Sequence, residues 1–259
     1  MDELATRAVG PVTPDHPVDT ICLLEALPQV EEVLSPDEAE RARGELMAPV
    51  VELGEGPWEP PMDWLPDPTQ LGYLVVSGLL AREVTVGDTT ATELLGRGDL
   101  LRPPDHEGEA APVPSSVSWT VLSRVRLAVL DPDVTVAASR WPPVVVAIAR
   151  TAVRRSHSLA HHLALSHLRR VDARLLVLMW DLADRFGRVQ PEGVIVPVRL
   201  THEMLGRVVG AQRPSVTTAL NELESAGRIS RRPEGGWILH GEPPEDVAGP
   251  RLGLGADAA

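Results

Sequence analysis

Leu200–His240, LTHEMLGRVVGAQRPSVTTALNELESAGRISRRPEGGWILH, is the stretch that decides the fold. Thr201 has the side chain of a helix N-cap, and Glu203 falls in the first turn, where the helix dipole favours a carboxylate. Met204, Leu205, Val208 and Val209 then share one side of a short helix, which Gly210 breaks. Gln212 opens a second helix with Pro214 in its first turn, where a missing N–H costs nothing. Val216, Leu220 and Leu223 recur at i, i+4, i+7 and predict its buried face, while Arg213, Ser215, Thr217, Thr218 and Asn221 lie on the other. Two short helices joined by a glycine turn, the second with a small, polar, donor-rich outer face, are what a helix-turn-helix needs to fit a major groove, where bulk would clash. After Gly227, RISRR and GWILH alternate around Pro233-Glu234-Gly235-Gly236, which predicts a β-hairpin: a wing with Arg231 and Arg232 at its tip, placed to touch phosphate.

The order T-x-E-x-L-x-x-V-x-G-A from Thr201 to Ala211, R-x-S-V-x-x-A-L-x-x-L from Arg213 to Leu223, then Gly227 and Ile229, resembles the C-terminal winged helix of the CRP/FNR family of bacterial transcription regulators. The residues expected to meet double-stranded DNA are Thr201, Gln212, Arg213, Ser215, Thr217, Thr218, Asn221 and Arg231. Arg213, at the start of the second helix, is suited to donate bidentately to O6 and N7 of a guanine. The family often carries an acidic and a second basic base-reader on this helix. Pro214 and Thr218 stand there in this chain, so its operator is expected to depart from the familiar consensus.

With 259 residues, 43% of them hydrophobic, the chain is long enough for two domains with their own cores. A single cysteine, Cys22, excludes an internal disulfide and a cysteine-ligated cluster within one chain, in keeping with a reducing compartment. No cationic-then-apolar leader and no apolar run of ~18 residues stands out, so the expectation is a cytoplasmic protein without a membrane partner. All 24 basic side chains are arginine. The net charge of −13 argues against a nucleic-acid binder until it is divided along the chain. Residues 1–140 hold 9 Arg against 25 Asp and Glu, a balance of −16, whereas 141–240 hold 14 against 8, a balance of +6. A basic module joined to an acidic one can approach phosphate while the acidic part stays off the duplex.

Residues 1–20 contain three prolines without periodicity and are expected to be flexible. Segments 21–34 and 36–47 look helical, the second starting at Ser35-Pro36 with Glu38 behind it. From Val50 to Asp131 short apolar runs separated by glycine and proline indicate a small β barrel or jelly roll, and alternation at Leu79-Ala81-Glu83-Thr85 suits a half-buried antiparallel strand. This region resembles the cyclic-nucleotide-binding β-roll that precedes the winged helix in the same family, through Leu71-Gly72-Tyr73-Leu74-Val75, Gly78, Glu93-Leu94-Leu95-Gly96 and Gly98-Asp99. In the family's cyclic-AMP binders a Gly-Glu pair holds the ribose and a following Arg-Ser or Arg-Thr the phosphate. Gly108, Glu109 and Ser115 are the matching candidates here, but Pro114-Ser115-Ser116 supplies no arginine; Arg102 and Arg124 are the remaining candidates to substitute for it, though nothing in their spacing supports them. Burying a phosphate without a cationic partner is costly, so residues 103–116 read as a solvated acidic loop and no cofactor is expected.

Pro142-Pro143 opens a long helix in which Val145, Ala149, Ala152, Ser156, Leu159, Leu163 and Ser166 step by four and three, a heptad seam. In the resembled family this is the dimerisation helix. His157 and His161, at i, i+4, have metal-ligand spacing, but with no local carboxylate or cysteine beside them they read, with His162 and His167, as exposed helix histidines. Residues 171–188 form an amphipathic helix with Leu175, Leu178, Met179, Leu182 and Phe186 inward, and the acidic tail from Gly241 is expected to be disordered.

The fold expected is α+β: flexible residues 1–20, an antiparallel β-roll over 21–135, a connecting dimer helix over 136–170, a winged helix-turn-helix over 171–240 and a tail over 241–259. The function expected is a homodimeric, sequence-specific DNA-binding transcription regulator on a palindromic site, not gated by cyclic AMP, with RNA polymerase a candidate further partner. The alternative is an effector-gated regulator that binds a cyclic nucleotide or other small molecule in the β-roll. No Gly-rich phosphate loop, nucleophile elbow, zinc motif or carboxylate pair points to an enzyme.

Overall fold

The computed structural model describes residues 19–60, 69–102 and 113–244, and the chain divides into two units. The first takes in residues up to Arg82 together with Leu94–Val153. It begins with β1 (Thr20–Cys22), α1 (Leu23–Ala26), α2 (Pro28–Glu31) and α3 (Pro36–Glu45). The single helix expected over 21–34 is therefore a strand and two one-turn helices. Leu27, at φ −125 and ψ 61, leaves the helical region ahead of Pro28, which has no N–H to continue the ladder. Ile21 and Cys22 instead pair with Ala48 and Met47. α3 starts as expected: Ser35 and Glu38 form a reciprocal capping box, with Pro36 in the first turn. It stops at Glu45, two residues early, because Met47 belongs to the next strand.

The strands that follow are β2 (Met47–Leu53), β3 (Gly56–Trp58), β4 (Gly72–Val86), β5 (Thr89–Gly96), β6 (Leu100–Leu101) and β7 (Ser115–Leu130). They form a seven-stranded sheet in the order β1-β2-β7-β4-β5, with β3 on β7 and β6 on β4. Successive residues of β4 enter two different cores: Tyr73 and Val75 pack with Leu80, Leu95, Leu101, Trp119, Val121, Val125 and Leu127, whereas Leu74 and Val76 pack with Leu23, Leu24, Leu27, Leu46, Ala128 and Leu130. A strand covered on both faces needs apolar side chains on both. Leu79, Leu80 and Ala81 are also all buried, where the alternation predicted one half-buried face, and of the three Leu80 packs in the core with Tyr73 and Val75. Gly78, at φ +89, lets β4 and β7 touch: a Cβ there would lie 2.2 Å from the carbonyl oxygen of Arg124. α4 (Pro132–Ser139), capped by Asp131, and the first half of α5 (Pro142–Ser166) complete this unit, with Trp141, Val144 and Ile148 in the helix-covered core.

The second unit holds Glu83–Glu93, the remainder of α5, and α6 (Val171–Phe186), β8 (Arg188–Gln190), β9 (Gly193–Val196), α7 (His202–Val209), α8 (Arg213–Ser225), β10 (Ile229–Arg231) and β11 (Trp237–Leu239). The four strands form one antiparallel sheet in the order β10-β11-β9-β8. α6 buries Leu175, Leu178, Met179 and Leu182 as its periodicity predicts, while Phe186, in its last turn, is only half-buried. Among the described residues no helix is long and apolar enough to cross a membrane.

Candidate nucleic-acid interface

Thr201 caps α7, its hydroxyl accepting the Met204 N–H at 3.1 Å. Leu205, Val208 and Val209 are buried, and Gly210 takes the left-handed conformation at φ 65 that ends the helix. The turn then doubles back tightly: a Cβ on Gly206 would meet the Ala211 carbonyl oxygen at 2.4 Å, so only glycine allows the approach. Carbonyls left open at this corner are met by Arg174 of α6, which donates to Val209 and Gly210 at 3.1 and 3.0 Å and to Leu168 at 2.6 Å. Nothing in the amphipathic pattern of α6 singles out Arg174, whose acceptors on α7 lie thirty-five and thirty-six residues away.

α8 begins after Gln212, which caps through its backbone alone, and has Pro214 in its first turn. Val216, Leu220 and Leu223 are buried as expected, joined by Ala219. Gln212, Arg213, Pro214, Ser215, Thr218 and Asn221 are exposed, and Thr217 is half-buried. The structure thus brings the α8 side chains named from the sequence onto one face. Their hydroxyls are not equally available: Thr218 donates back to the Pro214 carbonyl at 3.2 Å, and Thr217 to the Arg213 carbonyl at 3.0 Å. Among the described residues no hydrogen-bond acceptor or carboxylate is paired with the Arg213 guanidinium, although arginines elsewhere on α6, α7 and the wing hold carboxylates or carbonyls.

The wing forms where the sequence placed it, with Ile229, Ser230 and Arg231 opposite Leu239, Ile238 and Trp237. Its arginines are held by neighbouring side chains, Arg231 remaining exposed and Arg232 half-buried. Arg231 lies over the Trp237 ring at 4.9 Å, pairs with Glu224 at 3.1 Å and donates to His202 Nε2 at 2.7 Å. Arg232 pairs with Glu234 at 3.3 Å, and Arg199 donates to the Glu234 carbonyl at 2.6 Å, bracing the turn. His202, absent from the residues named from sequence, connects Arg231 to Thr217, whose Oγ1 lies 2.8 Å from its Nδ1. Burial first, then Arg231 and Arg213, hold its imidazole below the ordinary histidine range, with Glu224 opposing.

The helix histidines have a partner that local reading could not supply. Asp181, from α6, places a carboxylate oxygen 3.1 Å from His161 Nε2 and 3.9 Å from His162 Nε2. His161 is exposed as expected, but His162 is not, its side chain being 18% accessible. Burial lowers the His162 pKa and raises that of Asp181. Among the described residues no group of three such side chains could hold a metal ion. In the β-roll, Ser115 opens β7 half-buried and Arg124 is exposed, while Gly108 and Glu109 lie outside the described residues. Inside the roll, Trp58 meets Trp119 edge to face at 5.8 Å, and Arg82 lies over Trp119 at 6.0 Å.

The Crp-like helix-turn-helix domain matches residues 170–241. The chain is 30% identical to the CRP-like cAMP-activated global transcriptional regulator of Mycobacterium tuberculosis over 176 residues, 64% of this chain and 74% of that one. It is 33% identical over 98 residues to the regulatory protein CysR of Synechococcus elongatus, covering 34% of this chain and 48%, about half, of that relative. Among solved structures, a cyclic nucleotide-binding domain containing protein from Listeria monocytogenes has a TM-score of 0.59 at 15% identity, covering 84% of this chain and 97% of that one. A transcriptional regulator of the CRP/FNR family from Thermus thermophilus has a TM-score of 0.53 at 20% identity, covering 74% and 93%. With the domain match, the M. tuberculosis relative and these folds in agreement, the chain belongs to the CRP/FNR family of transcription regulators.

Proposed function

We propose that the chain binds double-stranded DNA sequence-specifically as a homodimer on a palindromic operator, entering the major groove with α8, and that it does so without cyclic AMP. In this reading residues 21–135 are the sensor-like part, 136–170 the dimer helix and 171–240 the DNA-binding part. One observation carries it: Arg213, an exposed arginine with no acceptor among the described residues, stands at the start of a helix whose outward Ser215, Thr218 and Asn221 are short and polar, with the carboxylate of Glu222 further along the same helix. That is the equipment for reaching a base edge past a phosphate backbone. The dimer is supported by α5, where Val145, Ala149, Ala152, Ser156, Leu159 and Leu163 make one stripe whose large members are exposed in the single chain, with Leu163 64% accessible. A two-fold axis along that stripe would give two copies of α8, as half-sites one helical turn, ~10 bp, apart require.

Independence of cyclic AMP is supported by Ser115, a neutral hydroxyl standing where the family's cyclic-AMP binders have an arginine. The name of the M. tuberculosis relative, cAMP-activated, favours the second reading, an effector-gated regulator with a cyclic nucleotide or other small molecule in the β-roll. Enrichment of bound sites from randomised duplexes, without and with cyclic AMP, decides between them. Recovery of one palindrome under both conditions is expected. Recovery only with the nucleotide gives the second reading, and recovery of no consensus sinks both.

A further inference from the structure

The hydrogen bonds around His202 have only one direction available to them. A guanidinium has donors and no acceptor, so the 2.7 Å contact from Arg231 makes His202 Nε2 the acceptor. The neutral ring then carries its proton on Nδ1, which donates across 2.8 Å to Thr217 Oγ1. The Thr217 hydroxyl has one proton, and it goes to the Arg213 carbonyl at 3.0 Å. Its donor and one lone pair are committed within the protein, leaving a second lone pair and the methyl group. Thr218 makes the same backward bond at 3.2 Å, but among the described residues no side chain holds its hydroxyl in place. The relay is anchored at its far end, because Arg231 is fixed by Glu224 at 3.1 Å and by Trp237 beneath it.

We propose that His202 is a positioning residue that presents Thr217 to DNA by its methyl group rather than its hydroxyl, so that this threonine recognises the 5-methyl of a thymine within the bound site. The inference rests on the DNA-binding reading above. Arg231 and Arg213 face the ring as cations and Glu224 as the one anion, a balance that, with burial, favours the neutral imidazole the relay requires. An apolar contact between a threonine methyl and the thymine methyl is an established mode of groove reading, and it needs no hydroxyl.

The test starts from the site that the full-length wild-type protein selects, and replaces each thymine in turn by deoxyuridine, which removes the methyl and nothing else. One position in each half-site is expected to lose about fourfold in affinity, the value of one buried methyl. Thr217→Val, which keeps a methyl and loses the hydroxyl, should retain that discrimination; Thr217→Ser, which keeps the hydroxyl, should abolish it. His202→Ala should blunt it without touching DNA, and His202→Asn, which restores a donor near Nδ1, should recover it. Nitrogen shifts of the His202 ring in the free protein are expected to show Nδ1–H and a bare Nε2. The opposite tautomer, a uridine scan with no sensitive position, or discrimination that survives in Thr217→Ser and fails in Thr217→Val would each overturn the proposal. A wild-type protein that selects no site would instead defeat the DNA-binding reading itself.

Discussion

α5 and α8 each have one face left uncovered by the described residues, and the two faces could hardly differ more. α5 shows Val145, Val146, Val153, Leu159 and Leu163, between 42% and 64% accessible, while α8 shows Arg213, Ser215, Thr218, Asn221 and Glu222. An apolar stripe gains by excluding water against another apolar stripe, and a short polar face headed by a cation gains by meeting phosphates and base edges. The largest effect should come from spoiling the first face. Leu159→Glu with Leu163→Glu sets like charges across the seam, and is expected to give monomers by sedimentation. Affinity for a two-half-site duplex should then fall by about a hundredfold to ten-thousandfold, because two linked contacts become one. A dimer that survives both substitutions would move the interface off α5 and dissolve the contrast.

The second face is tested by Arg213→Ala. Loss of a bidentate guanine contact is expected to cost about 1–3 kcal/mol on the selected operator and to relax one position in each half-site. Binding to random duplex should change far less. Equal losses on both would reduce Arg213 to a phosphate contact, and α8 would have to read sequence through Ser215, Thr218 and Asn221 alone.

Both faces are legible in the sequence because each lies within one helix, where a period of 3.6 sorts side chains without help from the rest of the chain. The cap at Thr201, the turn at Gly210 and the buried triplet Val216, Leu220, Leu223 are of the same kind: cause and effect lie a few residues apart. The β-roll is legible only as a class. Its short runs announce strands, but the division of β4 between two cores, Tyr73 and Val75 in one and Leu74 and Val76 in the other, depends on a sheet packed on both faces. The same distance hides the side-chain partners. Asp181 reaches His161 from the next helix, and Arg231 reaches His202 from twenty-nine residues away. Neither pairing leaves a local pattern, so the carboxylate partner of the histidines and the relay to Thr217 emerge only from the folded chain.

A smaller effect separates the scaffold of α8 from its chemistry. Thr201 stands among the residues expected to meet DNA, yet its hydroxyl is already the acceptor for Met204. Thr201→Ala should therefore lower stability by about 1 kcal/mol, read as a drop of several degrees in the melting temperature of the winged-helix unit. Operator preference should be kept. A change in the selected sequence with no change in melting would show that the hydroxyl serves DNA rather than the helix.

The smallest effect lies on the side of α5 that is not uncovered, where His162 and Asp181 meet, and its sign follows from which form each group favours. Burial holds the folded His162 below the unfolded value of 6.5, so the unfolded chain binds its proton first as pH falls. Stability from this residue is therefore complete above 6.5 and declines as pH falls through 6.5 toward the lowered folded value. Asp181 acts oppositely: burial raises it above 3.8, so the folded chain keeps a proton that the unfolded chain has released. Its carboxylate thus costs stability as pH rises from 3.8 through the raised value. Both groups are partly solvated, and solvent screening keeps each contribution small. His162→Gln, which cannot titrate, should flatten the decline in denaturation free energy just below pH 6.5 and leave the lower branch to Asp181. An unchanged slope would show that His162 is no more shielded than the exposed His161, and that α5 turns no buried polar side toward α6.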